Sequence, residues 1–589
     1  MSVKPLPYTV ADFHLRSDKN AFQVKAKGEW TKISWSEYQK DIFKISHFLK
    51  NRISAEFGKA AIVASTRYEW SVIDLAAQCA KRVLVPIYPA VTPDEMSYIL
   101  NHAEIEVLFL ENKSQLRVWE KISASCTTVK TVVIIDKFDL VDSPIEHWDN
   151  LLEDKLTPED TKAIKASINT IKMDTMATIV YTSGTTGNPK GVVLTHRQII
   201  SEVVEAFTTC QATASDCTLT FLPFAHVFGR IENWAHSHFG YEMAFAESME
   251  KIKSNLVEIN PTFVFAVPRI FEKVYIAVIS SVENNKVKQI LFDWALSQSK
   301  TKIDKVRNFE IVPIKQWAMA EIAQRLVLNK VKKAFGNRLR FCVSGGAPLN
   351  PVIAEFFARC GVMILEGYGL TETTAAIAVN TPFDFQIGTV GKPIGDVKIK
   401  FAEDGEILLK SDKITPEYYK NPQATAEAFT DGWFKTGDIG ELTPSGHLRI
   451  TDRKKDLIKT ANGKYVAPQK IEGLLKLNPL IANVLIHGDQ KKYIIALLSL
   501  DHQHAKKWAE DNGISATDIN SIINNTKFTD EIRRHVIKVN SELANHESVK
   551  KYQVIVEEFT VENGFLTHSL KVKRKLLDQK YKDTINNLY

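Results

Sequence analysis

At 589 residues the chain is too long for one hydrophobic core, so its length predicts at least two domains. The apolar fraction of 44% and the charged fraction of 24% are ordinary for a soluble globular protein. No apolar run approaches the length of about 20 residues that a transmembrane helix needs, so we expect none. The net charge of +6 favours anionic ligands or an anionic membrane surface and does not indicate nucleic-acid binding.

The first 170 residues alternate between helical and strand patterns. Residues 35–49 repeat apolar side chains at helical spacing, and 60–64, 83–87 and 107–110 are short apolar runs. This alternation predicts helices layered on a parallel sheet. Residues 138–170 are polar and charged, and we expect them to form a connection on the surface.

The six cysteines show no Cys-x-x-Cys spacing, and several of them lie in apolar segments, as Cys342 does. Free cysteine is among the most buried residue types, and disulfides are rare in reducing compartments. The pattern therefore predicts reduced, buried thiols in a cytoplasmic protein.

A loop rich in hydroxyl groups separates two strand patterns, 179–180 and 191–195. Glycine permits close approach to the backbone, hydroxyl and N–H groups donate hydrogen bonds, and lysine adds charge, so this composition suits a polyphosphate. Pro189 before Lys190 disfavours the helix that would begin here in a P-loop. An ordinary hairpin loop is the structural alternative. The candidate phosphate-binding residues are Thr182, Ser183, Gly184, Thr185, Thr186, Gly187 and Lys190.

The middle of the chain combines histidines with charged helices. His226 lies among aromatic residues, where a satisfied core histidine is the alternative to a pocket residue. His236 and His238 have no acidic or cysteine partner at ligand spacing, so we interpret them as structural. Residues 280–335 predict amphipathic helices whose basic clusters, such as 330–333, form either a solvated face or a membrane-facing one.

Two turns that follow successive strands carry candidate nucleotide-binding residues. After the first strand, a turn at Gly346, Ala347 and Pro348 can bring bare backbone against a flat ligand. After the second, at 362–365, Tyr368 can stack on a base, while Thr371 and Glu372 place a hydroxyl and a carboxylate where phosphate and Mg²⁺ would meet. A polar turn between strand and helix is the alternative for each. The candidates in the second turn are Gly367, Tyr368, Gly369, Thr371 and Glu372.

The last third of the chain divides near residue 452. Residues 388–438 predict a small β region, and the charged run 449–459 separates it from a small α+β pattern with a central strand at 493–500. The predicted domains are residues 1–451 and residues 452–589.

Six of these motifs, in order and over nearly the whole chain, resemble those of the adenylate-forming superfamily: acyl-CoA synthetases, peptide-synthetase adenylation domains and firefly-type luciferases. Phe228-Gly229-Arg230 after His226, and the segment 260–269, resemble the AMP-forming long-chain fatty acid–CoA ligases in particular. The resemblance implies an α/β fold. It consists of a large N-terminal domain of layered α/β subdomains plus a β region, and a small mobile α+β C-terminal domain.

The resemblance also implies a role for each matching residue. Asp438 and Arg453 would hold the ribose, and Glu372 with Thr185 would hold Mg²⁺. Lys571 would serve the adenylation step and Lys459 the thioester step, exchanged by a hinge at 452–456 that includes Asp452 and Lys455. The acyl-binding candidates are His226, Trp234 and Gly345, and for Trp234 a gate and a plain core tryptophan are equally open. Where the family usually has Thr-Pro-Thr near Lys571, this chain has Thr567-His568-Ser569, which puts the rigidity of that loop in doubt.

The implied reaction joins a fatty acid to CoA at the expense of ATP, with Mg²⁺ as the metal cofactor. Within the same fold, the alternative is a fatty acyl-AMP ligase that passes the acyl chain to a carrier protein. From another class, the alternative is a nucleotide-binding homologue without catalysis, which intact Lys190, Glu372, Asp438 and Lys571 disfavour. The implied partners are fatty acid, ATP and CoA, without nucleic acid; peripheral membrane contact and a homodimer stay open.

Overall fold

The computed structural model describes residues 4–16, 19–138, 145–182, 188–283, 285–307, 310–514, 518–560, 563–567 and 572–589. It confirms the α/β class: two large sheets with helices on their faces form most of the N-terminal part, and a smaller α+β part follows. No helix in these ranges is both long enough and apolar enough to cross a bilayer. All six cysteines are buried and free, as predicted.

The first sheet is parallel except for its last pair of strands, and its central strands are mostly buried because they are rich in Ala, Val, Ile and Leu. Within the described ranges its spatial order is Glu146–His147, Thr131–Ile134, Ile105–Leu110, Lys59–Val63, Val83–Ile87, Met176–Thr182 and Lys190–Thr195. The predicted strands at 60–64, 83–87 and 107–110 all belong to this sheet. Its helices are Trp35–Arg52, Tyr68–Cys79, Pro93–Ala103, Lys113–Ile122, Trp148–Glu153 and Pro158–Ile168, with shorter turns at Pro7–Val10, Phe13–Arg16 and Ser123–Ser125.

The prediction of a surface connection at 138–170 is wrong for the described part of that segment. Two helices form there, Trp148–Glu153 and Pro158–Ile168, and the second begins with a capping box between Thr157 and Asp160. Trp148 and Ile168 are buried in the main core. The charged residues dominate the composition, but a few apolar side chains at helical spacing are enough to pack these helices on the first sheet's helices.

The second sheet carries the middle of the chain. It is parallel in its centre and antiparallel at both edges, and in the described ranges its order is Lys392–Pro393, Ala375–Val379, Ile364–Leu370, Phe341–Ser344, Phe263–Ala266, Cys217–Thr220, Glu242–Phe245, Asn20–Ala26 and Glu29–Ser34. Its helices and turns are His196–Thr209, Val227–Phe239, Met249–Lys251, Ile252–Ile259, Pro268–Glu283, Lys286–Arg307, Ile314–Ala323, Gln324–Leu328, Asn329–Lys333, Pro351–Arg359 and Thr371–Thr373. The helices predicted at 280–335 are therefore confirmed.

A buried ion pair joins the two sheet systems. Asp74, on helix Tyr68–Cys79, accepts hydrogen bonds from Arg230 Nε and Trp234 Nε1, each at 2.9 Å, and both residues lie on helix Val227–Phe239. Arg230 also donates to the Thr178 hydroxyl at 2.7 Å, on a strand of the first sheet. We call Asp74, Arg230 and Trp234 the Asp74 cluster; all three are 0% exposed. The cluster fixes the helix that begins directly after His226.

The predicted β region forms a third, antiparallel sheet. Its strands are Lys398–Phe401, Glu406–Lys410, Trp433–Leu442, Phe429–Thr430 and Leu448–Arg453, with helix Pro422–Ala428 beside them. After residue 457 the chain forms a short ribbon, Ile458–Lys459 with Tyr465–Val466, and a sheet of Ile481–His487, Ile494–Leu500 and Val549–Ile555 whose central strand lies where the sequence predicts it. The C-terminal helices are Pro468–Leu475, His502–Asp511, Ile519–Ile523, Thr526–Ser541, Arg574–Lys580 and Lys582–Asn587.

Candidate functional site

The candidate phosphate loop connects the antiparallel strands Met176–Thr182 and Lys190–Thr195, in which Thr182 lies opposite Lys190. The prediction of a loop between strands, and not of a helix start, is therefore confirmed. The loop's centre, Ser183–Gly187, lies outside the described residues. At its far end the Lys190 ammonium lies 5.2 Å from the centre of the Tyr418 ring.

Tyr418 connects the phosphate loop to Glu372. Its hydroxyl donates a 2.8 Å hydrogen bond to Glu372 Oε1, and its backbone pairs with Val192 on the strand that leaves the loop. Burial, together with the neighbouring Glu372 carboxylate, raises the pKa of the Tyr418 phenol, so it stays a neutral donor. The sequence reasoning missed this residue, because no spacing marks Tyr418 as a neighbour of a carboxylate 46 residues earlier in the chain.

Glu372 is suited to bind a Mg²⁺ ion whose other ligands are substrate phosphates and waters. It lies in the turn Thr371–Thr373, half-buried, and Thr415 N–H donates to its backbone oxygen at 2.7 Å. The described residues contain no cluster of three or more His, Cys, Asp or Glu side chains that would enclose a metal. A single carboxylate beside the candidate phosphate loop fits Mg²⁺, which keeps waters and substrate phosphates as its other ligands. The second predicted ligand, Thr185, lies outside the described residues.

The backbone after Glu372 is strained and is held by a buried clamp. Thr374 and Ala375 have φ of 60° and 106°, a left-handed conformation that is costly for residues with a Cβ. Ala376 N–H donates to Glu202 Oε1 at 2.6 Å, and Lys413 Nζ donates to Ala376 O at 3.2 Å. Burial raises the pKa of Glu202 to about 7, against the attraction of Lys413. The sequence gives no signal for this clamp, which holds the segment that carries Glu372.

Gly369, shortly before Glu372, has a packing role. Strand Ile364–Leu370 continues through Gly367, Tyr368 and Gly369 and pairs with Ala375–Val379, whereas the sequence predicts a turn directly after residue 365. A Cβ on Gly369 would lie 1.3 Å from Ala375 O, so only glycine permits this close pairing. Thr371 then begins the turn.

Tyr368, Asp438 and Arg453 form a second cluster, which we call the Asp438 cluster. Tyr368 donates its hydroxyl proton to Asp438 Oδ2 at 2.6 Å, and Arg453 Nε lies 3.2 Å from Asp438 Oδ1. The two charged residues face each other on paired strands, Trp433–Leu442 and Leu448–Arg453. Asp438 is 3% exposed, whereas the Arg453 side chain is 46% exposed. The sequence foresaw both charged residues but assigned Tyr368 to stacking and not to this hydrogen bond.

A largely apolar cavity lies between these candidate nucleotide-binding elements and helix Val227–Phe239. It holds about 640 Å³ of empty space, including its mouth. His226 lies in its wall and caps the start of that helix, where its Nδ1 accepts a hydrogen bond from Phe228 N–H at 3.2 Å. Gly345 packs so closely on the Phe228 ring that a Cβ there would lie 3.0 Å from a ring carbon. The lining residues are Glu202, Ala206, Phe207, Cys210, His226, Val227, Phe228, Ile231, Phe265, Val343, Gly345, Gly346, Gly367, Tyr368, Gly369, Leu370, Ala375, Ala376 and Val379.

The cavity therefore brings together two predicted acyl-binding residues, His226 and Gly345, with the predicted nucleotide-binding residues Gly346 and Gly367–Gly369. Trp234 does not line it. Trp234 is fully buried and donates to Asp74, so its placement favours the core role that the sequence left open. Ala347 and Pro348 continue the turn after Gly346 and are exposed.

The described C-terminal candidates, Asp452, Lys455 and Lys459, do not line this cavity. Lys459 is exposed in its ribbon strand, 5.5 Å from the centre of the Tyr465 ring. Asp452 is buried, and burial raises the pKa of its carboxyl to about 6, while Lys455 is exposed. Lys571 lies outside the described residues.

Comparison with known proteins finds relatives over nearly the whole chain. The model of the family described as "AMP-binding enzyme" matches residues 12–419, and that of "AMP-binding enzyme C-terminal domain" matches residues 455–589. Long-chain-fatty-acid--CoA ligase FadD15 of Mycobacterium bovis is 32% identical over 602 aligned residues, covering 99% of this chain and 98% of that protein. Human Long-chain-fatty-acid--CoA ligase 1 is 30% identical, covering 90% and 78% of the two chains.

Among solved structures, the adenylation domain of a carboxylate reductase from Mycobacterium chelonae superimposes with a TM-score of 0.77. The match covers 100% of this chain and 92% of that one at 20% sequence identity, so it supports the fold alone.

Proposed function

The chain belongs to the AMP-binding enzyme family, and from that premise we propose that it is a long-chain fatty acid–CoA ligase. In the first step a fatty-acid carboxylate oxygen attacks the α-phosphorus of ATP, so that acyl-AMP forms and pyrophosphate leaves. In the second step the CoA thiol attacks the acyl carbonyl, and AMP leaves with the electron pair of the broken acyl–oxygen bond. The observation that carries the proposal is the near full-length similarity to ligases of this name, combined with an apolar cavity that opens beside the nucleotide-side loops.

The side chains of the described site provide positioning and charge. Asp438 is fixed by Tyr368 and Arg453 before any ligand binds, which suits a carboxylate that accepts hydrogen bonds from ribose hydroxyls. Lys190 adds positive charge where a pyrophosphate would leave. When bound at Glu372, Mg²⁺ would neutralise phosphate charge. His226, in the cavity wall, would lie beside the acyl carbonyl and the incoming thiol.

The acceptor distinguishes this proposal from its alternative. We expect the purified protein, given ATP, Mg²⁺ and fatty acids of graded length, to release AMP and pyrophosphate and to form acyl-CoA, with kcat/KM highest for long chains because each buried methylene adds about 0.8 kcal/mol. If acyl-AMP forms but only a carrier protein with a phosphopantetheine thiol accepts the acyl group, the protein is a fatty acyl-AMP ligase. Absence of ATP–pyrophosphate exchange with every acid would overturn both proposals.

Two lysines test the two half-reactions. We propose that Lys571 serves adenylation and Lys459 serves thioester formation. Lys571→Ala should then reduce acyl-AMP formation by roughly 10²-fold or more, the scale for losing one positioned charge, but still convert supplied acyl-AMP and CoA to thioester. Lys459→Ala should show the opposite pattern. Equal loss of both half-reactions in either variant contradicts the assignment.

A hinge near residue 455 would exchange these lysines. Lys454 is anchored to the β region through Glu406 at 2.8 Å, and Asp456 and Leu457 N–H both donate to Arg453 O, so a compact turn surrounds the exposed Lys455. Lys455→Pro restricts rotation there and should slow thioester formation while adenylation continues. Lys455→Ala is the matched control. Unchanged thioester rates in Lys455→Pro, measured by stopped flow, would remove the hinge.

We further propose a homodimer and a cytoplasmic location with peripheral membrane contact. Size measurement of the purified chain by sedimentation tests the first. Membrane contact requires a surface that can make it, and one region of the molecule has the necessary composition.

A further inference from the structure

Residues 286–307 and 310–333 form the two arms of a strongly basic helical hairpin. Helix Lys286–Arg307 runs out, and Ile314–Ala323, Gln324–Leu328 and Asn329–Lys333 return. This segment has eleven Lys and Arg and four Asp and Glu, which gives a net charge of +7, whereas the whole chain has +6. The rest of the protein therefore has a net charge close to zero, and the excess of positive charge lies in this hairpin.

The same hairpin concentrates exposed apolar side chains. In the described part of the chain, eighteen large apolar residues are exposed, and eight of these lie between residues 287 and 326. Three lie where the two arms meet: Ile311 is 90% exposed, Ile314 87% and Trp317 50%. We call these three residues the hairpin tip. Isolated surface apolar residues are ordinary, but a cluster of this kind marks an interaction surface.

The hairpin packs on the rest of the protein through the side opposite the tip, so the tip residues do not contribute to that packing. Ser299 donates to Arg359 O at 2.7 Å, and Gln324 donates to Cys360 O at 3.0 Å, which anchors both arms to helix Pro351–Arg359 and its C-terminal end. Phe292 and Ala295 are buried on this anchored side. The tip residues have no place in that packing.

Two lysines lie at the tip. Lys302 Nζ lies 5.7 Å from the centre of the Trp317 ring, and Lys315, between the two exposed tip residues of its helix, is itself exposed. Tryptophan is enriched at membrane interfaces because its ring is amphipathic, and lysine is attracted to the negative surface potential of anionic lipids. Apolar residues inserted among lysines are the pattern of an interfacial membrane contact.

We propose that the hairpin tip docks this protein on an anionic phospholipid surface. A lipid surface matches both observations. The exposed apolar side chains can insert at the boundary of the hydrocarbon region, and the net charge of +7 is attracted to anionic headgroups. The proposal rests on the proposed function in one respect: long-chain fatty acids dissolve in bilayers, so docking would bring the enzyme to its substrate. The docking itself does not require catalysis.

The first experiment measures co-sedimentation of the full chain with vesicles. We expect binding to phosphatidylcholine–phosphatidylglycerol vesicles, weak binding to phosphatidylcholine alone, and a decrease with added salt. The triple variant Ile311→Ser, Ile314→Ser and Trp317→Ser should lower the partition coefficient at least about tenfold, because it removes the inserted apolar area. The matched control is Phe383→Ser with Ile537→Ser, two exposed apolar residues elsewhere, and it should bind like the parent.

A charge series tests the electrostatic part. Lys302→Gln and Lys315→Gln should each weaken binding about fivefold, since one lysine near an anionic surface contributes roughly that factor. Lys506→Gln and Lys507→Gln, exposed lysines of the C-terminal part, should have little effect. Equal effects of the two pairs overturn the assignment of the contact to the tip.

A labelling experiment keeps the proposal testable if the triple variant does not fold. The six native cysteines are buried, so Ile314→Cys can be labelled selectively with a polarity-sensitive dye. Its emission should shift to the blue with anionic vesicles, whereas a dye at Ile537→Cys should not respond. The proposal is overturned if neither dye responds, if the parent ignores anionic vesicles, or if the tip instead mediates self-association without lipid. Acyl-CoA synthesis from acid dispersed without vesicles is measured separately, so a failure of the proposed function is distinguished from a failure of docking.

Discussion

The Asp74 cluster and the Asp438 cluster are built from the same parts but differ in access to water. Each has an aspartate, an arginine and an aromatic side chain that donates to the carboxylate. In the first, Asp74 and Arg230 are both fully buried; in the second, Asp438 is buried while nearly half of the Arg453 side chain is exposed. Residue type therefore does not distinguish a structural pair from a ligand-ready one.

The difference in access decides what each pair contributes. A sealed pair cannot exchange its hydrogen bonds with water or ligand, so removing one partner leaves a buried charge, which is costly. A pair with one exposed partner is screened by water and contributes little to stability. That openness would allow the proposed ribose hydroxyls to approach a carboxylate whose position is already fixed.

Removing the sealed arginine should produce the largest effect on stability. Arg230→Ala leaves Asp74 buried without its cation, and we expect a loss of about 3–5 kcal/mol in the free energy of unfolding. Urea titration of both proteins measures this loss. The matched variant Arg453→Ala should cost less than about 1 kcal/mol, because its ion pair is open to solvent. Similar losses in the two variants would show that access to water is not the deciding property.

The sealed region should also show its burial as a pH dependence. Glu232, on the same helix as Arg230, is fully buried and accepts hydrogen bonds from the hydroxyls of Thr218 and Thr220; burial raises the pKa of its carboxyl to about 7. Between the ordinary pKa of a glutamate and about 7, the folded protein holds this proton more tightly than the unfolded chain does. Its contribution to stability is therefore present at low pH and is lost as pH rises through 7.

Glu232→Gln should remove this dependence. From pH 4.5 to pH 8 the stability of the variant relative to the parent should improve by roughly 3 kcal/mol, since one pKa unit corresponds to about 1.4 kcal/mol. Other buried groups titrate in both proteins and cancel in the difference. A constant difference across this range would mean that Glu232 is ionised without penalty.

The open cluster should respond through ligand binding. Asp438→Asn keeps the shape of the side chain but removes its charge, and we expect the KM for ATP to rise roughly 10- to 100-fold, the scale of one or two charged hydrogen bonds. The KM for the fatty acid should stay within about twofold. Pyrophosphate exchange at varied ATP measures this effect. A melting temperature that falls as far as that of Arg230→Ala would instead make Asp438 structural.

The sequence could predict the members of the site better than their contacts. Asp438, Glu372 and Lys190 lie in motifs that the family resemblance identifies, and apolar strand patterns such as 83–87 predict the strands of the first sheet correctly. Tyr418 was missed because it reaches Glu372 only through the fold, and no local spacing records a contact between segments so far apart. Trp234 illustrates the opposite case: eight residues after His226 it is close to the cavity along the chain, but the helix turns its side chain toward Asp74.

Sequence patterns predicted the burial of polar and charged segments poorly. Residues 148–168 have a polar composition because charged residues outnumber the few apolar ones that pack inward. Glu202 and Lys413 are the opposite case, because their residue types predict a surface position but they form a buried ion pair. A buried charge needs its partner, and that partner is supplied by a segment about 200 residues away. Such pairs are visible only after the chain has folded.

The smallest expected effect compares the two aromatic donors. Tyr368→Phe and Trp234→Phe each remove one hydrogen-bond donor from an aspartate and keep a ring in place. In the open cluster, water or the ribose can replace the lost donor, so Tyr368→Phe should raise the KM for ATP by only about three- to tenfold, with unfolding free energy changed by less than about 1 kcal/mol. In the sealed cluster nothing replaces the indole N–H, so Trp234→Phe should cost about 1–3 kcal/mol of stability and leave the KM for ATP and the chain-length preference unchanged. Parallel urea titrations and kinetics on the two variants read out both quantities. If Trp234→Phe shifts the chain-length preference instead, the tryptophan borders the acyl path after all, and the two clusters differ less than their burial indicates.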